Sequence, residues 1–115
     1  MEQLLHYVWK HKIFPLSSLQ TTSGRPVEVI DPGLPNMNAG PDFFNAKLKI
    51  DGTLWVGNVE VHTQASDWLL HRHDRDKAYD TVILHVVGES NCDVYRTNGE
   101  LVPQMVLTCP DTVRL

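Results

Sequence analysis

Only two cysteines occur in the 115 residues, Cys92 and Cys109, and they lie too far apart for a zinc ribbon or a CxxC redox pair. Both are expected as buried free thiols, since unpaired cysteine is among the most buried residue types. A long apolar run is also missing. Nothing approaches the roughly 18 residues of a membrane-spanning helix, and Glu2, His6, Lys10, His11 and Lys12 interrupt the apolar positions at the start and so break any signal-peptide core. The expectation is a protein without membrane association, cytoplasmic by default. Basic excess is absent as well: a formal net charge of −4 argues against a broad positive surface for sequence-independent nucleic-acid binding. It leaves room for a metal-dependent enzyme, because carboxylates that hold ions bring negative charge which the ions cancel. There is no internal repeat or low-complexity tract.

What is present reads as one soluble domain spanning residues 1–115, with 42% hydrophobic and 21% charged residues. Leu4, Leu5, Val8, Trp9 and Ile13 recur at helical spacing, which predicts an amphipathic helix over residues 2–13. Pro15 stops it and can open a second short helical piece reaching Gln20. Val27 to Ile30 predicts a strand, followed by the irregular loop DPGLPNMNAGP, whose three prolines and two glycines mark a functional rather than an incidental connection. Phe43 to Ile50 follows as a strand with Phe44, Ala46, Leu48 and Ile50 on one face, then the Asp51-Gly52 hairpin turn. Leu54 to Thr63 returns antiparallel with Glu60 and His62 on one face. Ser66 is placed to cap a helix running to Tyr79, and residues 81–87 form an apolar strand covered on both sides. Residues 92–97 and 101–107 complete the chain as a hairpin around Asn98-Gly99.

Glu60 and His62, two apart on one strand, point the same way about 7 Å from each other. Asp42 opens the paired strand and, counted across the Asp51-Gly52 turn, falls opposite position 61, at the same sheet end. Two converging carboxylates can share a hard cation such as Mg²⁺, which takes oxygen ligands and keeps several waters. That arrangement suits metal-assisted hydrolysis, with the ion polarising a phosphoryl oxygen and His62 as general base or water-orienting group. The alternative is a solvated face of an edge strand.

Pro41-Asp42, a hairpin and then Glu60-Val61-His62 resemble the motif of the PD-(D/E)XK nucleases, in which a Pro-Asp step and an acid-x-Lys triplet sit on adjacent strands. The element order resembles their αβββαβ core. The resemblance implies an α/β restriction-endonuclease-like fold with a mixed central sheet, here with a C-terminal β-hairpin added. More closely, AGPDF, GNVEVH, SDW, HRH and ILHVV, in that order, are similar to the domain of unknown function 2851 family of uncharacterised bacterial proteins. Its members are longer, which implies that this chain is an N-terminal portion or a shortened relative. The nuclease resemblance implies Mg²⁺ or Mn²⁺ on Asp42 and Glu60, and nucleic acid as substrate. His62 stands where the catalytic lysine is expected, and a neutral imidazole lacks that lysine's fixed charge. Lys47 is the preferred substitute for it, and Glu28 offers a third acid.

A second polar cluster, His71, His73, Asp74 and Asp76, has the residue types of a zinc site. On a regular helix His71 and His73 point about 200° apart and cannot share an ion, whereas His73 and Asp76 can share a face. The competing view is a solvated face in which Arg72, Arg75 and Lys77 pair with the acids. His85, inside an apolar strand, is expected as a hydrogen-bonded core histidine that can link to the polar helix. Tyr79 is placed to reach the site from the helix end. Three functions follow: a metal-dependent phosphodiesterase on nucleic acid, a catalytically inactive nuclease-fold binding module, and, more weakly, a zinc-dependent hydrolase built from His62, His73, Asp76 and His85. Nothing in the sequence sets an oligomeric state.

Overall fold

The computed structural model describes residues 1–14 and 18–109. Helix α1 (Glu2–Lys10) buries Leu5, Val8 and Trp9, the stripe that the apolar spacing demands. It ends three residues earlier than residue 13, because His11 closes it and Lys12 turns into the left-handed region at φ 55. Ile13 N then reaches back to Val8 O at 2.9 Å. Trp9 Nε1 donates to Pro32 O at 2.9 Å, which ties the helix to the loop expected to carry function. The short helical piece expected from Pro15 falls partly outside the described residues; Gln20 itself is bridged antiparallel to Pro26.

The strands are β1 (Val27–Asp31), β2 (Leu34–Pro35), β3 (Phe43–Ile50), β4 (Thr53–Gln64), β5 (Val82–Glu89) and β6 (Gln104–Val106). They form one mixed sheet in the order β1-β3-β4-β5-β6, with β2 paired to β3. The β1, β3 and β4 pairings are antiparallel, and the β4–β5 and β5–β6 pairings are parallel. Asp51 and Gly52 join β3 to β4 with φ of 52° and 79°, as a two-residue hairpin requires.

One irregularity changes the expected register. Asn45 adopts φ 58 and the pairing shifts between Phe43↔Val59 and Ala46↔Gly57, so that β3 carries a bulge. Phe43 is consequently the buried aromatic while Phe44 is 37% exposed, the reverse of strict alternation. The bulge also brings Asp42 opposite position 60 rather than 61.

Both faces of the central strands are covered. On one side α1 packs with Val59, Val61, Leu84, Val86, Leu48 and Met105 in the main apolar core. On the other, Trp68, Val87, Val94 and Val102 form a second cluster over β4 and β5. Glu60 and His62 are therefore 4% and 2% exposed, which removes the solvated edge-strand alternative.

The connection from β4 to β5 departs most from expectation. The helix expected to run from Ser66 to Tyr79 is a single turn, α2 (Asp67–Leu70). Arg72 is left-handed at φ 59, and two 3-10 turns follow, His73–Arg75 and Lys77–Tyr79. Ser66 holds the N-cap position without a side-chain capping bond; its Oγ instead accepts from Asn91 Nδ2 at 3.0 Å. The C-terminal hairpin is likewise reduced to one antiparallel bridge, Tyr95↔Leu101. Pro103 has no N–H with which to extend that ladder, and its carbonyl accepts from His85 N at 2.8 Å as the chain turns to run parallel to β5. Cys92 and Cys109 are free thiols, the first half-buried and the second buried. Among the described residues no helix is long and apolar enough to cross a membrane.

Candidate functional site

A polar row crosses the sheet under Trp68. Glu60 on β4 is paired with His85 on β5, and His85 with Gln104 on β6. Asp42, at the start of β3, completes the row on its other side. The loop before it is shaped for that delivery: Asn36 N donates to Asp42 O at 2.8 Å, and Asn36 Nδ2 donates to Ala39 O at 3.0 Å and Pro41 O at 2.9 Å. Gly40 takes φ 104, which side-chain-bearing residues rarely adopt. Asp42 and Glu60 then lock reciprocally. Asp42 N donates to Glu60 Oε1 at 3.0 Å, and Val61 N donates to Asp42 Oδ2 at 2.8 Å.

The imidazoles behind Glu60 form a chain whose proton positions follow from its far end. Gln104 Nε2 donates to Ser90 Oγ at 2.8 Å and to Cys92 O at 3.0 Å, so its Oε1 faces His85 Nδ1 at 2.9 Å and accepts from it. A neutral His85 with its proton on Nδ1 has Nε2 as an acceptor, and His62 Nδ1, 2.7 Å away, is the donor. His62 Nε2 lies 3.2 Å from Glu60 Oε2, a position that also calls for a proton on the ring. Both nitrogens of His62 face acceptors, which is the environment of an imidazolium. His73 Nε2 reaches the same carboxylate oxygen at 3.0 Å, while its Nδ1 is buried without a hydrogen-bond partner. Tyr79 stacks on the His73 ring at 3.6 Å, and the Trp68 edge meets His73 and His85 at 5.2 and 5.0 Å.

The charges follow this geometry. Burial, and then the Glu60 charge, push the Asp42 carboxyl up to about 7. Burial works against the Glu60 charge too, but the hydrogen-bonding imidazoles of His62 and His73 more than reverse it and hold that carboxyl low. For His62, burial disfavours the cation, and the adjacent Glu60 carboxylate overcomes it, so the net direction is upward. His85 is lowered to about 4 by burial. Tyr79 is raised to about 12, by burial and then by the Glu60 charge.

Of the residues expected at the site, Asp42, Glu60, His62, His73, Tyr79 and His85 are brought together. Three are not. Glu28 is exposed and paired with Lys49, toward the hairpin end of β3, away from Asp42. Lys47 is exposed opposite Val56, four residues along β3 from Phe43, roughly 13 Å at strand rise. Asp76 is exposed, and its Oδ1 accepts from Ala78 N at 3.0 Å to cap a 3-10 turn. The zinc set of His62, His73, Asp76 and His85 is therefore not assembled. His71, set apart from His73 on the assumption of a regular helix, is instead close to it: the ring centroids are 5.6 Å apart, and His71 lies 5.3 Å from His62. The left-handed Arg72 between them is the reason.

Two residues were missed. His6 on α1 places Nε2 3.4 Å from Asp42 Oδ2; the signal was its spacing one turn before buried Trp9. Gln104 was an amide inside the apolar run VPQMVL, and only the pairing of β6 to β5 gives it His85 as a partner. A concavity of about 710 Å³ lies elsewhere, between Trp55, Ile83 and Leu101. Its Asp80 is engaged by Thr97 and its Arg96 by the Val82 and Asp80 carbonyls, so it offers no free acid-base pair.

Residues 2–114 match the family model described as protein of unknown function (DUF2851). The chain belongs to this family. No curated protein matches the sequence, and no solved structure matches it. Membership of DUF2851 carries no assigned activity, so the chemistry rests on the Asp42, Glu60 and histidine cluster.

Proposed function

We propose that this chain is a Mg²⁺- or Mn²⁺-dependent phosphodiesterase acting on nucleic acid, with Asp42 and Glu60 as the metal-binding acids. The observation that carries this reading is the reciprocal lock of the two acids, each carboxylate accepting a backbone N–H from the other's strand, Asp42 N to Glu60 Oε1 and Val61 N to Asp42 Oδ2. Two acids held this close share either a proton or a cation. The residues fit a hard ion: Glu60 is buried, while the Asp42 side chain is 25% exposed and leaves a solvent-facing side for the waters that Mg²⁺ retains. Such an ion, when bound, polarises a phosphoryl oxygen and acidifies its water.

The protein's own residues supply the rest. His62 stands where the PD-(D/E)XK motif has lysine, and its contacts with Glu60 and His85 favour the charged ring, which offsets the loss of the lysine charge. His6 Nε2, buried 3.4 Å from Asp42 Oδ2 and without a hydrogen-bond partner, is the group placed to take a proton from the Asp42 side of the site. Arg72, Arg75 and Lys77 are exposed on the segment carrying His71 and His73, and can meet a phosphate backbone despite the acidic total. With the two-residue β2 set aside, the order α1, β1, β3, β4, α2 and β5 is that of the αβββαβ nuclease core.

Purified protein incubated with single- and double-stranded oligonucleotides in Mg²⁺, Mn²⁺ or chelator tests the reading. Metal-dependent cleavage is expected, reduced at least about 100-fold in Glu60→Gln, as for loss of a principal transition-state electrostatic group. Equal cleavage by that variant rejects the assignment. Retained nucleic-acid binding with no cleavage under any metal points to the inactive binding module instead.

A further inference from the structure

Next to the carboxylates lies a group of nitrogen donors of which the phosphodiesterase reading uses only His62. His62, His71 and His73 each present a ring nitrogen, and the three nitrogens lie within 4.8 Å of one another. We propose that these three histidines form a separate site for a borderline transition ion of the Zn²⁺ class, beside and distinct in chemistry from the oxygen site at Asp42 and Glu60.

The donor set selects the ion. Imidazole suits Zn²⁺, Co²⁺, Ni²⁺ and Cu²⁺, whereas Mg²⁺ prefers oxygen and water. Three protein ligands with a fourth position open to water is the arrangement of catalytic zinc sites. Nitrogen ligands sit about 2.0–2.1 Å from zinc, so the three rings must draw together by an ångström or so. His71 is exposed and free to make that adjustment, and it also marks the route by which an ion enters.

A second observation points the same way. The His73 side chain is 8% exposed, and its Nδ1 has no hydrogen-bond partner. Buried polar atoms in folded proteins are almost always paired. With Nε2 engaged by Glu60, the His73 ring is pinned on one side by that carboxylate and on its flat face by Tyr79.

The surroundings resemble the outer shell of a metal site. Metal-binding histidines commonly donate their other ring N–H to an acceptor that fixes tautomer and orientation. His62 has this through His85, which is oriented by Gln104, itself held by donating to Ser90 Oγ and the Cys92 carbonyl. The inference shares His62 with the phosphodiesterase reading, and an ion there takes the place of the Nε2 proton that faces Glu60; it rests otherwise on His71 and His73, and a metal can bind here whether or not any substrate is cleaved.

Co²⁺ titration of the chelator-stripped full chain tests it, read by the intense visible absorption of four-coordinate nitrogen-ligated Co²⁺ and by its displacement with Zn²⁺. The parent is expected to develop those bands with one equivalent of Co²⁺. His71→Ala, a surface change that does not threaten the fold, should weaken Co²⁺ and Zn²⁺ affinity at least about 10-fold. Exposed His11→Ala and the carboxylate variant Asp42→Asn should leave the spectrum in place. An absence of bands in the parent, an unchanged affinity in His71→Ala, or a loss confined to Asp42→Asn would each overturn the three-histidine site. The last result would place the ion on the carboxylates, whereas bands without nucleic-acid cleavage would reject only the phosphodiesterase.

Discussion

The two faces of β4 and β5 are made by the same alternating strands, yet they solve opposite problems. Val59, Val61, Leu84 and Val86 face α1 and contribute only apolar surface. Glu60, His62 and His85 face Trp68, are buried to a similar extent, and carry hydrogen-bonding and charged atoms. The first face stabilises by removing area from water, and any residue of similar shape serves. The second is tolerated only because its charges meet partners; its exception is His73 Nδ1, on a ring whose Nε2 meets Glu60, while the other unpartnered atom, His6 Nε2, reaches Asp42 from α1. What the difference teaches is where the fold ends and the function begins on one pair of strands.

That contrast can be broken from the apolar side first. Leu48→Ala should cost about 2–5 kcal/mol by cavity formation, read by urea unfolding. Divalent-ion binding at Asp42 and Glu60 should persist below the unfolding range. A cost within error of zero would mean that the α1 face does not carry the stability assigned to it.

The polar face can be sharpened by pH. His85 has its folded value lowered to about 4 from an ordinary 6.5, so the unfolded chain binds more protons between those values. Its contribution is present above pH 6.5 and is lost as pH falls toward 4, roughly 3 kcal/mol in all. Asp42 runs the other way. Its folded value is raised to about 7 from 3.8, so its contribution is present below pH 3.8 and is lost as pH rises through 7. The two oppose each other across pH 4 to 6.5 and flatten the parent's profile. Asp42→Asn removes one of them. In chelator it should therefore be more stable than the parent above pH 7, by about 1–2 kcal/mol after allowance for solvent screening. It should also show the steeper acid loss due to His85. Parallel profiles for parent and variant would contradict the Asp42 assignment, and a variant that loses no stability between pH 6.5 and 4 would contradict that of His85.

Much of this arrangement was readable from local chemistry. Asp51-Gly52 demanded a hairpin, and two-residue spacing put Glu60 and His62 on one face, because turn type and strand period depend on neighbours in sequence. The misreadings share a different cause. The Asn45 bulge depends on how β3 meets β4. The segment after Leu70 has helical propensity, but a left-handed Arg72 lets His73 reach Glu60 and stack on Tyr79, and those tertiary contacts override it. His6 and Gln104 joined the site from opposite ends of the chain, where no spacing rule connects them to Asp42 or His85.

The most direct test is calorimetric titration of Mn²⁺ into chelator-stripped parent and Asp42→Asn at pH 8, where both carboxylates are ionised. The convergence of Asp42 and Glu60 predicts a site occupied at or below millimolar Mn²⁺ in the parent and lost in the variant. Superimposable isotherms, or no binding by the parent at millimolar Mn²⁺, would contradict it.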